Sequence, residues 1–145
     1  MISLKQIRLT ENEIFNYLQN NEDIFIPSLS SRVDLRNFSV KLSERAVHFC
    51  AFDNDLLIGL IACYFNDPVT LTGFISSASV AKEYQGQGIA PALLNAAVEY
   101  GKSKGFTRIM LEVRIENEPA IKIYRECGFI RISATGNVTA MELKL

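Results

Sequence analysis

Cysteine and histidine are scarce in this 145-residue sequence, which has three cysteines and one histidine. Cys50, Cys63 and Cys127 are odd in number, far apart along the chain and flanked by apolar residues. This pattern indicates neither a disulfide framework nor a CxxC metal site, so we expect buried packing residues and no bound metal. His48 also lies in an apolar segment, which favours a structural role over a catalytic one.

Long hydrophobic runs are also missing. The longest apolar run extends from Leu56 to Phe65, which is about half the length that a transmembrane helix needs. The N-terminal segment has no apolar core of the kind that signal peptides contain. These two absences predict a protein that stays in the cytoplasm.

A large excess of either sign of charge is also missing. The sequence has 15 Lys and Arg residues and 16 Asp and Glu residues, for a net charge of -1. This balance argues against DNA, RNA or an anionic membrane as the main partner. The 48% of hydrophobic and 21% of charged residues are typical of a globular protein. We expect a single domain over residues 1–145.

Two nucleotide-binding motifs and one nucleophile motif are absent. The sequence has no GxxxxGK[ST] phosphate loop, and Pro91 stands where the dinucleotide fingerprint needs its third glycine. Ser76, Ser77 and Ser79 form no GxSxG nucleophile motif, so we expect them to face solvent or substrate. Any group transfer is therefore expected to be direct, without an acyl-enzyme.

A glycine-containing turn joins a predicted strand to a predicted helix between Phe74 and Pro91. Gly86 and Gly88 leave the backbone without side-chain cover, and Pro91 suits the first turn of a helix. The N–H groups from Gln85 to Ala90 are therefore expected to converge on an anion at the helix N-terminus. The alternative is a glycine-rich turn that binds nothing.

Hydrophobic periodicity and turn residues predict mixed α and β structure. A first helix should follow the capping-box pair Thr10 and Glu13, with Ile14, Phe15 and Leu18 facing inward. The other predicted helices cover residues 32–42, 89–104 and 117–127. The predicted strands are residues 2–9, 46–52, 56–65, 72–80, 108–114, 130–134 and 138–143. The strands at 72–80 and 108–114 should be parallel, with a right-handed connection through the helix between them.

This order of elements resembles that of the GNAT family, the Gcn5-related N-acetyltransferases. The segment Gln85–Ala90 looks like the family's [RQ]xxGx[GA] loop, and Asn117, Ala120, Tyr124 and Gly128-Phe129 resemble its NxxAxxxYxxxGF segment. The resemblance extends from about Val47 to Phe129. It implies the α+β acyl-CoA N-acyltransferase fold, with a mixed sheet of about seven strands flanked by about four helices.

The run LEVR before Asn117 is similar to that of bacterial enzymes that acetylate the N-terminal alanine of a ribosomal protein. The family resemblance implies acetyl-CoA as the co-substrate. It assigns the pantetheine arm to backbone groups at Ala78–Val80 and to the Asn117 amide, and the pyrophosphate to backbone groups at Gln85–Pro91. The cofactor-binding residues implied in this way are Ala78, Ser79, Val80, Gln85, Gly86, Gln87, Gly88, Ile89, Ala90, Pro91 and Asn117.

Glu112 and Tyr124 are the catalytic residues that the resemblance implies. An alkyl amine has a pKa of about 10.4, so a base must remove its proton before it attacks a thioester. Glu112, on the polar face of an otherwise buried strand, is expected to be desolvated and to act as that base; the alternative is an ion pair with Arg114 or another basic group. Tyr124 would protonate the departing thiolate, or else be only a core aromatic. Val80 is the expected N–H donor to the oxyanion.

The sequence therefore predicts an N-acetyltransferase that moves an acetyl group from acetyl-CoA to a primary amine. A small-molecule amine, including an amino sugar or polyamine, is favoured over a peptide N-terminus, because the near-neutral charge indicates no docking patch. A non-catalytic acyl-CoA-binding sensor is the alternative function. The oligomeric state is open, with a homodimer as one option.

Overall fold

The computed structural model describes all 145 residues and contains seven strands and four α-helices. The strands are β1 (Ile2–Gln6), β2 (Val47–Asp53), β3 (Leu56–Tyr64), β4 (Thr72–Val80), β5 (Arg108–Arg114), β6 (Ile130–Thr135) and β7 (Val138–Lys144). The helices are α1 (Glu11–Asn20), α2 (Leu35–Arg45), α3 (Ile89–Ser103) and α4 (Glu118–Glu126). No helix is both long and apolar enough to cross a membrane.

All seven strands form one sheet in the order β1-β2-β3-β4-β5-β7-β6. Only β4 and β5 are parallel, and every other neighbouring pair is antiparallel. This arrangement confirms the predicted mixed sheet and the predicted parallel pair around α3. The strands β1 and β6 form the two edges of the sheet; β6 is exposed along its whole length, and its pairing with β7 shifts register between Arg131 and Ser133.

Two hydrophobic cores lie on opposite faces of the sheet. The larger has 18 buried residues and packs α3 and α4 against one face, with Leu93, Leu94 and Ala97 from α3. The smaller has nine buried residues and packs α1 and α2 on the other face, with Ile14 and Leu18 from α1. The sheet therefore separates a face covered by α3 and α4 from a face that α1 and α2 cover in part.

The helix starts show how local hydrogen bonds set the element boundaries. Thr10 and Glu13 form the predicted capping box at α1. The second helix begins at Leu35, three residues later than predicted, because the Asp34 carboxylate accepts a hydrogen bond from Asn37 N at 2.9 Å and caps the helix there. On α1, Phe15 is only half-buried, while Tyr17 is buried.

The first strand and the last helix also differ from prediction. The strand β1 ends at Gln6 rather than Leu9, because Leu9 turns into the smaller core and its N–H donates to His48 Nδ1 at 2.9 Å. On α4 the buried residue is Ile121, while the predicted inward residues Ala120, Ile123, Tyr124 and Cys127 are half-buried against the larger core. The helix therefore lies at the rim of the core, with one face partly open.

Candidate active site

The sheet opens into a wedge between β4 and β5. The two strands pair only from Thr72–Arg108 to Ile75–Leu111. Beyond these pairs β4 continues to Val80 and β5 to Arg114 without bonding to each other. A bulge in β4 at Ser76, opposite Ala62 and Cys63 of β3, accompanies the separation.

The Val80 N–H points into this wedge. Ala81 N donates to Ile58 O at 2.7 Å, on the β3 side of β4. Successive residues of an antiparallel strand direct their N–H groups to opposite sides, so the N–H of Val80 faces away from β3. The wedge therefore contains a backbone donor at the position expected for oxyanion stabilisation, and its second donor is the N–H of Ala78.

The turn between β4 and α3 presents a row of unsatisfied N–H groups. The N–H groups of residues 86–90 make no hydrogen bond within the chain. Gly86 and Gly88 have φ angles of 81° and 79°, and no atom lies within 4 Å of where a Cβ would be. Five free donors, an open approach and the N-terminus of a 15-residue helix form a cradle that fits a pyrophosphate.

Two side-chain contacts hold this turn in place. The Gln85 amide donates to Val80 O at 3.0 Å, which ties the turn to the end of β4. The Tyr84 hydroxyl donates to the Asp53 carboxylate at 2.6 Å, and this hydrogen bond lowers the pKa of Asp53. Gln85 therefore shapes the cradle through its side chain while leaving the backbone donors free.

Asn117 and Tyr124 are both positioned by α4. Asn117 Oδ1 caps the helix by accepting a hydrogen bond from Ala120 N at 3.4 Å, which leaves the amide NH₂ free to donate. The Tyr124 ring packs 5.9 Å from that of Phe129, between ring centroids, and its hydroxyl makes no hydrogen bond within the chain. Burial raises the pKa of Tyr124 to about 12, so the hydroxyl keeps its proton at neutral pH.

Glu112 lies on β5 at the wedge, on the sheet face opposite α3. Its side chain is exposed, so the desolvation predicted from the sequence is absent. The predicted alternative, an ion pair with Arg114 or another basic group, is wrong, because no basic group lies within ion-pair distance of Glu112 and the Arg114 guanidinium lies 3.3 Å from Glu116 instead. Glu112 makes no ion pair or hydrogen bond, which leaves its carboxylate accessible.

Sequence reasoning missed a polar cluster above β4. The Tyr17 hydroxyl lies 2.9 Å from Ser79 Oγ and 3.3 Å from Ser79 O. Burial raises the pKa of Tyr17 to about 12. Ser77 is on the same face, and its buried hydroxyl has no hydrogen-bond partner. Ile14, Tyr17 and Leu18 share one helix face, and this spacing would have predicted that Tyr17 is buried.

His48, Cys50 and Cys63 are buried as predicted, whereas Cys127 is more exposed than predicted. His48 is buried; its Nδ1 accepts from Leu9 N, and its Nε2 lies 2.7 Å from Leu42 O. These partners fix the neutral Nε2–H tautomer. Cys50 and Cys63 are buried and unpaired, and Cys127 is half-buried.

The sequence model of the acetyltransferase (GNAT) family matches residues 11–129. The chain belongs to this family. N-alpha-acetyltransferase 30 of Schizosaccharomyces pombe is 40% identical to this GNAT chain over 85 residues, which are 57% of each protein. The GNAT chain spans about half the length of the curated relatives that it matches.

Solved structures agree with the GNAT fold. A chain of the NatC complex, crystallised with Gag peptide and CoA, has a TM-score of 0.79 and 27% identity; the match covers 99% of this chain and 98% of that one. The Escherichia coli ribosomal-protein-S18-alanine N-acetyltransferase has a TM-score of 0.77 and 20% identity over 99% of this chain and 94% of its own. The predicted fold is therefore confirmed.

Proposed function

We propose that this protein is an N-acetyltransferase that moves the acetyl group of acetyl-CoA directly to a primary amine. The observation that carries the proposal is the row of five free N–H groups at residues 86–90, next to the wedge between β4 and β5. Membership of the GNAT family and the similarity to a CoA-bound chain of the NatC complex support it. The acceptor class covers small molecules, amino sugars and peptide N-termini.

The cofactor would lie along the turn and into the wedge. The free N–H groups from Gly86 to Ala90 neutralise a pyrophosphate, with Gln85 and Pro91 fixing the ends of the turn. Backbone groups of Ala78–Val80 and the free Asn117 amide hold the pantetheine arm. When bound, the cofactor supplies an acetyl group activated as a thioester.

The chain's own residues would then move the protons of the transfer. Glu112 accepts a proton from the amine, directly or through water, so that the nitrogen lone pair is free to attack the carbonyl carbon. The Val80 N–H donates to the oxygen that gains negative charge. As the C–N bond forms and the C–S bond breaks, Tyr124 donates its hydroxyl proton to the departing sulfur. The nitrogen of the new amide then loses its extra proton, which passes through water to the phenolate and restores the Tyr124 hydroxyl.

Thiol release with a panel of small amines, amino sugars, polyamines and peptides tests the proposal. Tyr124→Phe is expected to lower kcat by about 100-fold or more, the usual loss when a general acid is removed. Glu112→Gln is expected to lower activity most strongly at low pH, where less neutral amine is present. Tyr100→Phe, near the C-terminal end of α3 and so away from the turn before this helix, is the matched control and should leave kcat unchanged.

The non-catalytic acyl-CoA sensor makes a different prediction. It binds acetyl-CoA but releases no thiol with any amine, and Tyr124→Phe alters nothing. That result would exclude the transferase. The cytoplasmic location, the single domain and the homodimer option stay predictions.

A further inference from the structure

An open groove of about 560 Å³ lies on the face of β4 and β5 opposite α3. Its floor includes Phe74 from β4 and Met110 from β5, and its wall includes Lys41 and Arg45 from α2. Phe74 is 37% exposed there. The groove thus combines an aromatic and aliphatic floor with a cationic wall.

The cations of the groove are only partly neutralised. Lys41 and Arg45 are exposed and make no ion pair, whereas Arg108 lies 3.6 Å from Glu142. The Asp67 carboxylate accepts hydrogen bonds from Val69 N and from both Thr70 N and its hydroxyl, so it is satisfied within its own turn.

Acidic residues elsewhere do not compensate for these cations. Glu44, beside Arg45 on α2, does not line the groove; it lines a second cavity that Arg45 also borders, and the two side chains make no ion pair. Lys144, the register partner of Arg108, adds another cation on the same sheet face. Lys41 and Arg45 are therefore left free to pair with a ligand.

On β5 the groove ends at Met110, two residues before Glu112 at the wedge. Met110 and Glu112 share one face of the strand, about 7 Å apart at about 3.4 Å per residue, and Arg108 is about 14 Å from Glu112. Arg32 lies just before α2, and its pKa is lowered by burial and, to a lesser degree, by the charge of Arg114. Lys41 and Arg45 thus lie at the groove, and Arg32 lies toward the wedge, where Arg114 is already paired with Glu116.

We propose that this groove docks an acidic segment of a polypeptide whose N-terminal amine is the acetyl acceptor. With the amine beside Glu112 and about 3.4 Å per extended residue, residues three to five of the acceptor reach Met110 to Arg108. Carboxylates there pair with Lys41 and Arg45, while a polyamine places like charge beside both. This inference rests on the proposed function and narrows its acceptor class.

Binding of product-like peptides tests docking separately from catalysis. Fluorescent, N-acetylated peptides that differ only at residues three to five, as three aspartates, asparagines or lysines, are titrated by anisotropy with CoA present. The aspartate peptide is expected to bind about tenfold more tightly than the asparagine peptide, and the lysine peptide most weakly. The preference should shrink between about 50 mM and about 300 mM salt, because salt screens exposed charges.

Charge variants assign the preference to the groove. Lys41→Ala and Arg45→Ala should each weaken binding of the aspartate peptide by about threefold to fivefold, as expected for the loss of an exposed ion pair. Binding of the asparagine peptide should not change. Lys122→Ala, on the exposed side of α4, is the control and should change neither. With unblocked peptides, Lys41→Ala should raise KM for the aspartate peptide without lowering kcat.

Two outcomes separate the inference from the function on which it rests. Equal affinity for the aspartate and asparagine peptides, or an equal effect of Lys122→Ala, overturns the docking site even if amines are acetylated. A clear aspartate preference with no thiol release from any amine overturns the transferase but leaves the acidic docking site in place.

Discussion

Ser77 and Ser79 lie two residues apart on one strand face, but only one of them has a hydrogen-bond partner. Ser79 bonds to Tyr17, whereas the Ser77 hydroxyl is buried and unpaired. A buried hydroxyl without a partner costs stability, and such groups recur where a ligand completes the bonding. We therefore expect the Ser77 hydroxyl to bond to the acceptor at the wedge.

Ser77→Ala is expected to leave the free energy of unfolding unchanged or to raise it by about 1 kcal/mol, because it removes an unsatisfied polar group. The same change should lower kcat/KM for the acceptor by about tenfold while leaving acetyl-CoA affinity intact. Ser79→Ala is the contrasting variant, since it breaks the bond to Tyr17 and should lower stability by about 1 kcal/mol. Urea unfolding and steady-state kinetics measure both; unchanged kcat/KM in Ser77→Ala would remove this role.

His48 makes stability depend on pH. Burial lowers the pKa of His48 below the usual value of 6.5. Protonation of Nδ1 would also break the hydrogen bond that this atom accepts from Leu9 N. The unfolded state therefore binds more protons as the pH falls through about 6.5. The stabilisation is present above that pH and is lost below it.

The measurement is the free energy of unfolding at about pH 7.5 and about pH 5.5. The native protein should lose more stability over this range than His48→Gln, because glutamine offers both an acceptor and a donor but does not titrate. Equal pH dependence in the two proteins would show that His48 is not the responsible group.

At the scale of single elements, Gly88 in the turn before α3 must both adopt a left-handed backbone conformation and leave space for a ligand. Gly88 is the residue that precedes the helix, with a φ angle of 79°, and space is open where its Cβ would be. Gly88→Ala is expected to cost about 1–2 kcal/mol of stability, because a left-handed conformation strains any L-residue with a Cβ. The added methyl group would also occupy open space beside the free N–H groups.

Isothermal titration of Gly88→Ala should therefore show at least a tenfold loss of acetyl-CoA affinity, with a weaker loss for a pantetheine fragment that lacks the pyrophosphate. Gly105→Ala is the matched control, because Gly105 also has a positive φ angle, 81°, with open space, but follows the C-terminal end of α3. It should lower stability without changing affinity. Equal affinities of the two variants would argue against pyrophosphate binding at this turn.

Local patterns predicted the elements whose signals are contained within a few residues. The capping pair of α1, the alternation of β5 and the glycine turn before α3 each depend on near neighbours, and each lies where it was predicted. The wedge could not be predicted, because it depends on where β4 and β5 stop pairing, which is set by the bulge at Ser76 and by packing on both faces. The exposure of Glu112 and the contact between Tyr17 and Ser79 depend on the same long-range packing.

For the whole molecule, the net charge of -1 conceals a local separation of charge. Composition alone argued against a docking patch, yet Lys41, Arg45 and Arg108 line one groove. The fold brings them together from α2 and β5, which are more than sixty residues apart in sequence. Total charge therefore limits non-specific partners but does not describe an individual surface.

Cofactor binding is expected to stabilise the whole chain, because the proposed site touches β4, α3 and α4 around the larger core. At about 100 times Kd, acetyl-CoA should add about 2.7 kcal/mol to the free energy of unfolding. For a chain of this size, that raises Tm by about 8 °C. Differential scanning fluorimetry measures the shift, with pantetheine as the control that lacks the pyrophosphate; equal shifts for both ligands would contradict the role of the turn.

The strand β6 leaves one edge of the sheet unpaired and open to other molecules. Its six exposed residues include Ile130 and Ile132, which are 59% and 42% exposed. A free strand edge with apolar side chains can add a strand from another molecule and so start aggregation. The register shift between Arg131 and Ser133 breaks the regular spacing of the edge, and the charge of Arg131 opposes close approach by a second copy. A substitution that restores regular pairing along β6 is therefore expected to promote strand-to-strand association between molecules. We expect this effect to be larger than that of a substitution in either core.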